Sequence, residues 1–242
     1  MNTLIKILAS LVLAILMMSC QFNANFGNGI DGNGHVITKE RTLNGSYNAI
    51  KVSRGIEVDL TQSDTESLSV KADENLQEII TTTIENDVLI ISTNENIGQA
   101  TSKTVIVYFN DITSIKATSG SVVYSINPIH VSNLELDTTS GSDLKLVIDA
   151  ESVSCHSTSG SDMDLRGKTN HFTAEATSGS SIDAESLITQ NAKVKASSGA
   201  DIRVNTSKEL TAKISSGGNI RYTGNPEFVN IDDSASGSIK EQ

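Results

Sequence analysis

Residues 137–146 read DTTSGSDLKL, and a lightly edited Thr-Ser-Gly-Ser recurs along the chain on Gly120, Gly141, Gly160, Gly179, Gly199, Gly217 and Gly237. The intervals between these glycines are 21, 19, 19, 20, 18 and 20 residues. Self-similarity at a fixed period near twenty marks a repeat architecture. Seven and five residues before the five glycines from Gly141 to Gly217 stand Leu134 and Leu136, Val153 and Cys155, Phe172 and Ala174, Ala192 and Val194, Leu210 and Ala212. Three and five residues after them stand Leu144 and Leu146, Met163 and Leu165, Ile182 and Ala184, Ile202 and Val204, Ile220 and Tyr222. Polar residues such as Glu135, Lys145, Asp164, Lys193, Arg203 and Lys213 alternate with them. Period-two alternation on both flanks predicts two short strands around a glycine bend in every repeat.

No helix-period segment of useful length separates these strands, which excludes a doubly wound α/β sheet. The pattern predicts an all-β fold, a parallel β-helix with coils of about twenty residues and apolar side chains lining its interior. A one-residue slip would turn each apolar set outward, so the shared phase fixes the register. At about 4.8 Å per coil, the glycines from 120 to 237 span a rod of about 29 Å. The last repeat, VNIDDSASGSIKEQ, breaks the phase when aligned on Gly237: Val229 and Ile231 fall eight and six before it, and Ile239 two after. With Lys240-Glu241 it reads as an end cap covering the open edge. Upstream, YNAIKVS, IEVDLTQ, SLSVKAD, VLIISTN and KTVIVYF alternate too, and predict less regular coils over residues 41–115 ahead of the repeat coils of 116–242. Residues 74–85, ENLQEIITTTIE, fit a short helix or a bulged strand equally well.

The chain opens MNTLIKILASLVLAILMMSC, with Lys6 ahead of an apolar run too short for a membrane span. Residues 1–19 read as an export signal, and Ser19-Cys20 resembles a bacterial lipoprotein cleavage site that would leave Cys20 as the acylated first residue. An ordinary signal peptide is the alternative, although small residues at both −3 and −1 are lacking. Lipidation of Cys20 leaves Cys155 without an intramolecular disulfide partner. Residues 20–40, rich in Gly and Asn, read as a tether. The Gly27-x-Gly29-x-x-Gly32 within them has neither the strand before nor the helix after that dinucleotide binding requires.

The 242 residues are 37% hydrophobic and 19% charged, with two prolines and no tryptophan, which describes a folded chain. Removing residues 1–19 takes one Lys from the 18 Lys+Arg and none from the 29 Asp+Glu, so the net charge moves from −11 to −12. That charge argues against nucleic acid and against electrostatic attraction to anionic lipid.

The stretch HVITKERTLNGSYNAIKVSRGIEVDLTQSDTESLSVKADENLQEIITTTIENDVLII, followed by Thr-Ser-Gly-Ser coils, resembles the auto-transporter adhesin family with the head GIN domain over roughly residues 35–240. Arg54-Gly55-Ile56-Glu57 carries Glu where the family's name-giving Gly-Ile-Asn has Asn. The resemblance implies a right-handed β-helical, non-enzymatic extracytoplasmic protein, with no catalytic residues to carry over.

Nucleophilic catalysis needs a Ser or Cys beside a His and an orienting acid. His35, His130, His156 and His171 share no repeat position. Cys155 occupies an inward position, which makes it a small buried residue and turns His156 outward. Carboxylates are the remaining suspects: Asp143, Asp162 and Asp201 stand two after the glycine, Asp164 and Asp183 four after. Stacking would bring Asp143 to Asp162, and Asp164 to Asp183, about 5 Å apart. Three roles suit such a ladder: turn-side residues bonded to local backbone, a weak cation or ligand site, or a retaining glycosidase pair. The 4% aromatic content offers few platforms for sugars, and the glycine-Asp nonapeptides of calcium β-rolls are absent.

The sequence thus predicts a lipid-anchored protein of the cell envelope, on the outer membrane, that binds a glycan or protein ligand without a cofactor. A carbohydrate-active β-helix enzyme and a periplasm-facing envelope or signalling component are the alternatives.

Overall fold

A computed structural model describes residues 29–233 and 236–242. Every one of the twenty inward positions named from the repeat is buried, from Leu134 to Tyr222. The chain is a parallel β-solenoid whose apolar interior runs as one continuous cluster through the stacked coils.

The first half of the chain contributes nine short strands: β1 (Val36–Arg41), β2 (Ala49–Val52), β3 (Glu57–Gln62), β4 (Ser67–Asp73), β5 (Ile80–Glu85), β6 (Val88–Thr93), β7 (Lys103–Phe109), β8 (Ser114–Thr118) and β9 (Val122–Ser125). Only some are coils. β2 pairs in parallel with β6 and β8, and β3 with β7 and β9. β4 instead lies antiparallel to β7 and β1, and β5 antiparallel to β6. The expected N-terminal coils are therefore in part an antiparallel cap. Alternation shows which face a strand buries but not the direction of its neighbour. The ambiguous 74–85 segment is both forms in succession, a 3₁₀ turn at Glu74–Leu76 and then β5. The tether expected over residues 20–40 is also shorter on the structure. Ile30 bridges Ile97, Gly32 donates its N–H to the Gln99 carbonyl at 2.7 Å, and β1 begins at Val36.

The repeat half forms β10 (Ile129–Thr139), β11 (Asp143–Ser157), β12 (Asp162–Ala176), β13 (Ser181–Ser197), β14 (Asp201–Ser215), β15 (Asn219–Thr223), β16 (Phe228–Asp232) and β17 (Ser238–Glu241). The strand predicted after one glycine bend and the strand predicted before the next are the halves of one long strand. β11, for example, runs from one glycine turn to the next and bends near Glu151, where its pairing with β12 skips a position. Unequal spacing is absorbed at this far corner. The pairing of β13 with β14 shifts between Ala184 and Ile188, while Ile182 to Ala184 stay opposite Ile202 to Val204 beside the glycine turn.

The glycine turn itself explains the repeated motif. Ser140 and Gly141 sit at φ 58° and 68°, and the same two left-handed residues recur at every turn from Ser119-Gly120 to Ser216-Gly217. Two central residues at positive φ define a type I′ turn. The serine after the glycine points inward and is fully buried. Ser142 shares its proton between the Thr139 carbonyl at 3.0 Å and the Ala117 carbonyl of the preceding coil at 2.8 Å, and accepts from Thr139 N–H at 3.2 Å. Ser121 and Ser180 make the equivalent bonds. Successive turns are laced together, Gly141 N–H to the Ser159 carbonyl at 3.2 Å and Gly160 N–H to Ser178 at 3.2 Å. The hydroxyls thus satisfy backbone that a tight inward corner would otherwise bury unpaired.

Two members of the turn column fall outside the count made on the repeat's glycines. Arg54-Gly55 adopts the same left-handed pair, and Gly55 N–H donates to the Ser119 carbonyl at 2.9 Å, so this turn stacks beneath Gly120 although residues 56–118 intervene. At the other end, Ser238 lies opposite Asn219, Val229 opposite Leu210 and Ile231 opposite Ala212. Aligned on Ser236 in place of Gly237, the last coil keeps the phase. It is an ordinary coil with its interior uncovered: Val229 and Ile231 are 44% and 42% exposed. The expected end cap is absent among the described residues.

Candidate functional site

Parallel stacking turns each outward position into a column running along the rod, and three columns gather the polar chemistry. In the first, two after the turn glycine, Asp143, Asp162, Ser181, Asp201 and Asn219 lie in register. Burial and then the Asp143 carboxylate push the Asp162 carboxyl above its ordinary value, while Lys145 pulls it down. Asp201 is separated from this pair by Ser181.

In the second column, Lys145, Asp164, Asp183, Arg203, Arg221 and Lys240 follow one another. Asp164 and Asp183 are neighbours as expected, but each is engaged by an arginine. Arg166 forks onto Asp164 at 2.9 and 3.1 Å, and Arg203 reaches Asp183 at 2.9 Å. Among the described residues no group of three His, Cys, Asp or Glu side chains is placed to hold a metal ion.

Cys155 is inward and buried, and burial, with Asp137 adding, pushes its thiol up. His156 faces out between Asp137 and Glu175. His35 meets Glu74 at 3.2 Å and His130 meets Asp149 at 3.4 Å, while His171 lies between Ser152 and Asn191 in the stack. The inward turn serines are committed to backbone. Cys20 falls outside the described residues.

The third feature escapes the sequence. At the far corner, Asn170 donates to the Glu151 carboxylate at 2.6 Å and Gln190 donates to Asn170 at 2.6 Å, a ladder of planar groups one coil apart. Beside it runs a groove of about 400 Å³ lined by Asp149, Glu151, Lys168, Asn170, Ile188 and Gln190 among others, with Lys168 on Asp149 at 3.2 Å and Ile188 61% exposed. Beneath it Thr169, Thr189 and Thr206 turn inward and give their hydroxyls to the Glu151, Asn205 and Gln190 carbonyls, holding the bend. The column is invisible by counting from the glycines, because Asp149 and Lys168 lie eight residues after theirs and Ile188 nine.

A family model, "Putative auto-transporter adhesin, head GIN domain", matches residues 46–226, which take in the Gly55 turn and the outward ladders. The chain belongs to that family. Within the family's name-giving triplet, Gly55 makes the turn, Ile56 is buried and Glu57 faces out opposite Val122. No curated protein matches the chain in sequence. Solved structures share the head GIN chain's fold. A putative adhesin from Bacteroides fragilis superposes with a TM-score of 0.82 at 17% identity, covering 88% of this chain and 100% of its own. A putative adhesin and a putative lipid binding protein, both from Parabacteroides distasonis, give 0.72 and 0.69 at 20% and 21% identity, each over 88% of this chain and 99% of theirs.

Proposed function

We propose that this head GIN protein is an envelope lipoprotein, anchored through Cys20, that works by binding and not by catalysis. The far-corner groove carries the reading. It draws Asp149, Lys168 and Ile188 from successive coils, and mixes a carboxylate, an ammonium, amides and an apolar patch on a rigid support, which suits a glycan or protein segment lying across the coils. Membership of an adhesin family supports an envelope location and a binding role. A glycan and protein array probed with the wild type and with a Lys168→Ala/Gln190→Ala variant tests the site: wild-type hits should fall in the variant, and hits unaffected by it would place binding elsewhere. Loss of palmitate labelling in Cys20→Ser tests the anchor, and protease shaving of intact cells distinguishes a surface-exposed rod from a periplasmic one.

One observation favours a second reading, a carbohydrate-active enzyme: the raised carboxyl of Asp162 beside Asp143 is the form a general acid takes. Cleavage of a polysaccharide by the wild type and its loss in Asp162→Asn would establish that reading.

A further inference from the structure

Where cations recur in the outward columns among the described residues, most are tied to an acid. Four before the turn, Lys116 meets Asp137 at 3.7 Å, Lys195 meets Glu175 at 2.7 Å and Lys213 meets Asp232 at 2.8 Å. Lys195 and Lys213 are neighbours in register, but each is tied to an acid on its other side. At the end of the column four after the turn, by contrast, Arg203, Arg221 and Lys240 stack on three successive coils. Arg203 reaches back to Asp183 at 2.9 Å, whereas Arg221 and Lys240 form no ion pair among the described residues.

All three cations are exposed and stand in single file, about 4.8 Å apart. Like charges facing each other across a sheet destabilise it slightly, and an oxyanion between them removes the repulsion. Beside them a recess of about 270 Å³ is lined by Ser181, Asp201, Arg203, Asn219 and Arg221. Ser238 donates to the Asn219 side-chain oxygen at 3.2 Å, which leaves the Asn219 amide hydrogens directed elsewhere. Asp201, opposite Asn219 in the neighbouring column, is the recess's one acid. Hydroxyl and amide donors alongside a row of cations fit a ligand that carries both acid groups and hydroxyls.

We propose that the Arg203, Arg221 and Lys240 column binds the carboxylates or sulfates of a linear acidic polysaccharide laid along the rod axis near its C-terminal end. The net charge of −11 does not prevent this, because at physiological salt charges beyond about 8 Å are largely screened and the column acts locally. A bilayer fits less well. A plane of anionic headgroups against this face would also meet Asp143, Asp162, Asp164 and Asp183, while a polymer can end its contact at Arg203.

Affinity electrophoresis of the full chain in detergent tests the proposal, with polygalacturonate cast in one gel and neutral dextran in the other. Retardation is expected only with polygalacturonate, weakening as salt rises. R221Q/K240Q should weaken it about tenfold, the loss of two exposed charge contacts. R221K/K240R should retain most of the binding, and K208Q, at an exposed lysine outside the column, should leave it intact. Equal retardation of R221Q/K240Q and wild type, or none of the wild type, would overturn the proposal. So would loss of flotation with phosphatidylglycerol vesicles on adding R221Q/K240Q to a Cys20→Ser chain while polygalacturonate binding stays unchanged, since the column would then serve a lipid.

Discussion

The two ends of the rod solve the same problem differently. At the N-terminal end the coil edges continue into antiparallel strands, β4 and β1 on one side and β5 on the other. Between them the 3₁₀ turn drives Leu76 to full burial, and the Gln77 side-chain amide donates to the Ile37 and Val70 carbonyls at 3.0 Å each. Asp73, shielded from solvent, accepts from Gly34 N–H at 2.6 Å, Thr101 N–H at 2.8 Å and Ser102 N–H at 3.0 Å. At the C-terminal end, among the described residues, β16 pairs only with β14 and β17 only with β15, and Val229 and Ile231 stay exposed over the open interior. A coil repeats the edge it covers, so a repeat cannot finish itself. Only sequence that abandons the repeat makes a cap.

The sharpest way to break this contrast is at Asp73. Its carboxyl is held below the ordinary carboxylate range chiefly by the Ser102 N–H, with Gly34 and Thr101 adding. A depressed folded value means that its contribution is complete at neutral pH and is lost as pH falls through that value, below about pH 4. Asp73→Ala, which leaves three backbone donors unpaired, should give the largest fall in melting temperature, and should flatten the acid limb of a melting-temperature profile. An unchanged acid limb would assign the acid sensitivity to other carboxylates.

A matched pair of truncations compares the ends directly. Leu76→Ala in the cap should cost about 2–5 kcal/mol in urea denaturation, whereas Val229→Ala, with nearly half its surface already in solvent, should cost less than about 1 kcal/mol. Equal losses would show that something covers the C-terminal end in solution. Within the repeat, Gly141→Ala meets no atom that an added Cβ would touch, so its cost is conformational alone, about 1–2 kcal/mol by calorimetry. Ser140→Asn should act in the opposite direction by a few tenths of a kcal/mol, because asparagine tolerates the left-handed region better than serine. A loss of stability in this variant would show that the exposed Ser140 hydroxyl contributes more than its backbone does.

The repeat's interior was legible in the sequence because side-chain alternation and glycine phase report the same fact at every coil, from Leu134 to Tyr222. Gly55 was hidden because its neighbours are Arg54 and Ile56, not hydroxyls: the turn depends on backbone conformation, and the motif is one way of supplying it. Ser236 was hidden by a glycine one residue beyond the turn column. For the candidate sites, stacking correctly placed Asp143 on Asp162 and Asp164 on Asp183. What it could not give was the reach of Arg166 and Arg203, which decides that the second pair is neutralised locally. The far-corner groove lay beyond the same method, since coils of unequal length drift out of count there.

Cys155 gives the middle of this rod a clock. Its thiol is buried and held protonated by its surroundings, and only the thiolate reacts. A thiol reagent can therefore label it only when neighbouring coils part, so in a Cys20→Ser background the labelling rate measures how often the stack opens at its centre. Asp73→Ala should speed that clock if opening spreads inward from the capped end, and leave it unchanged if the coils open one at a time.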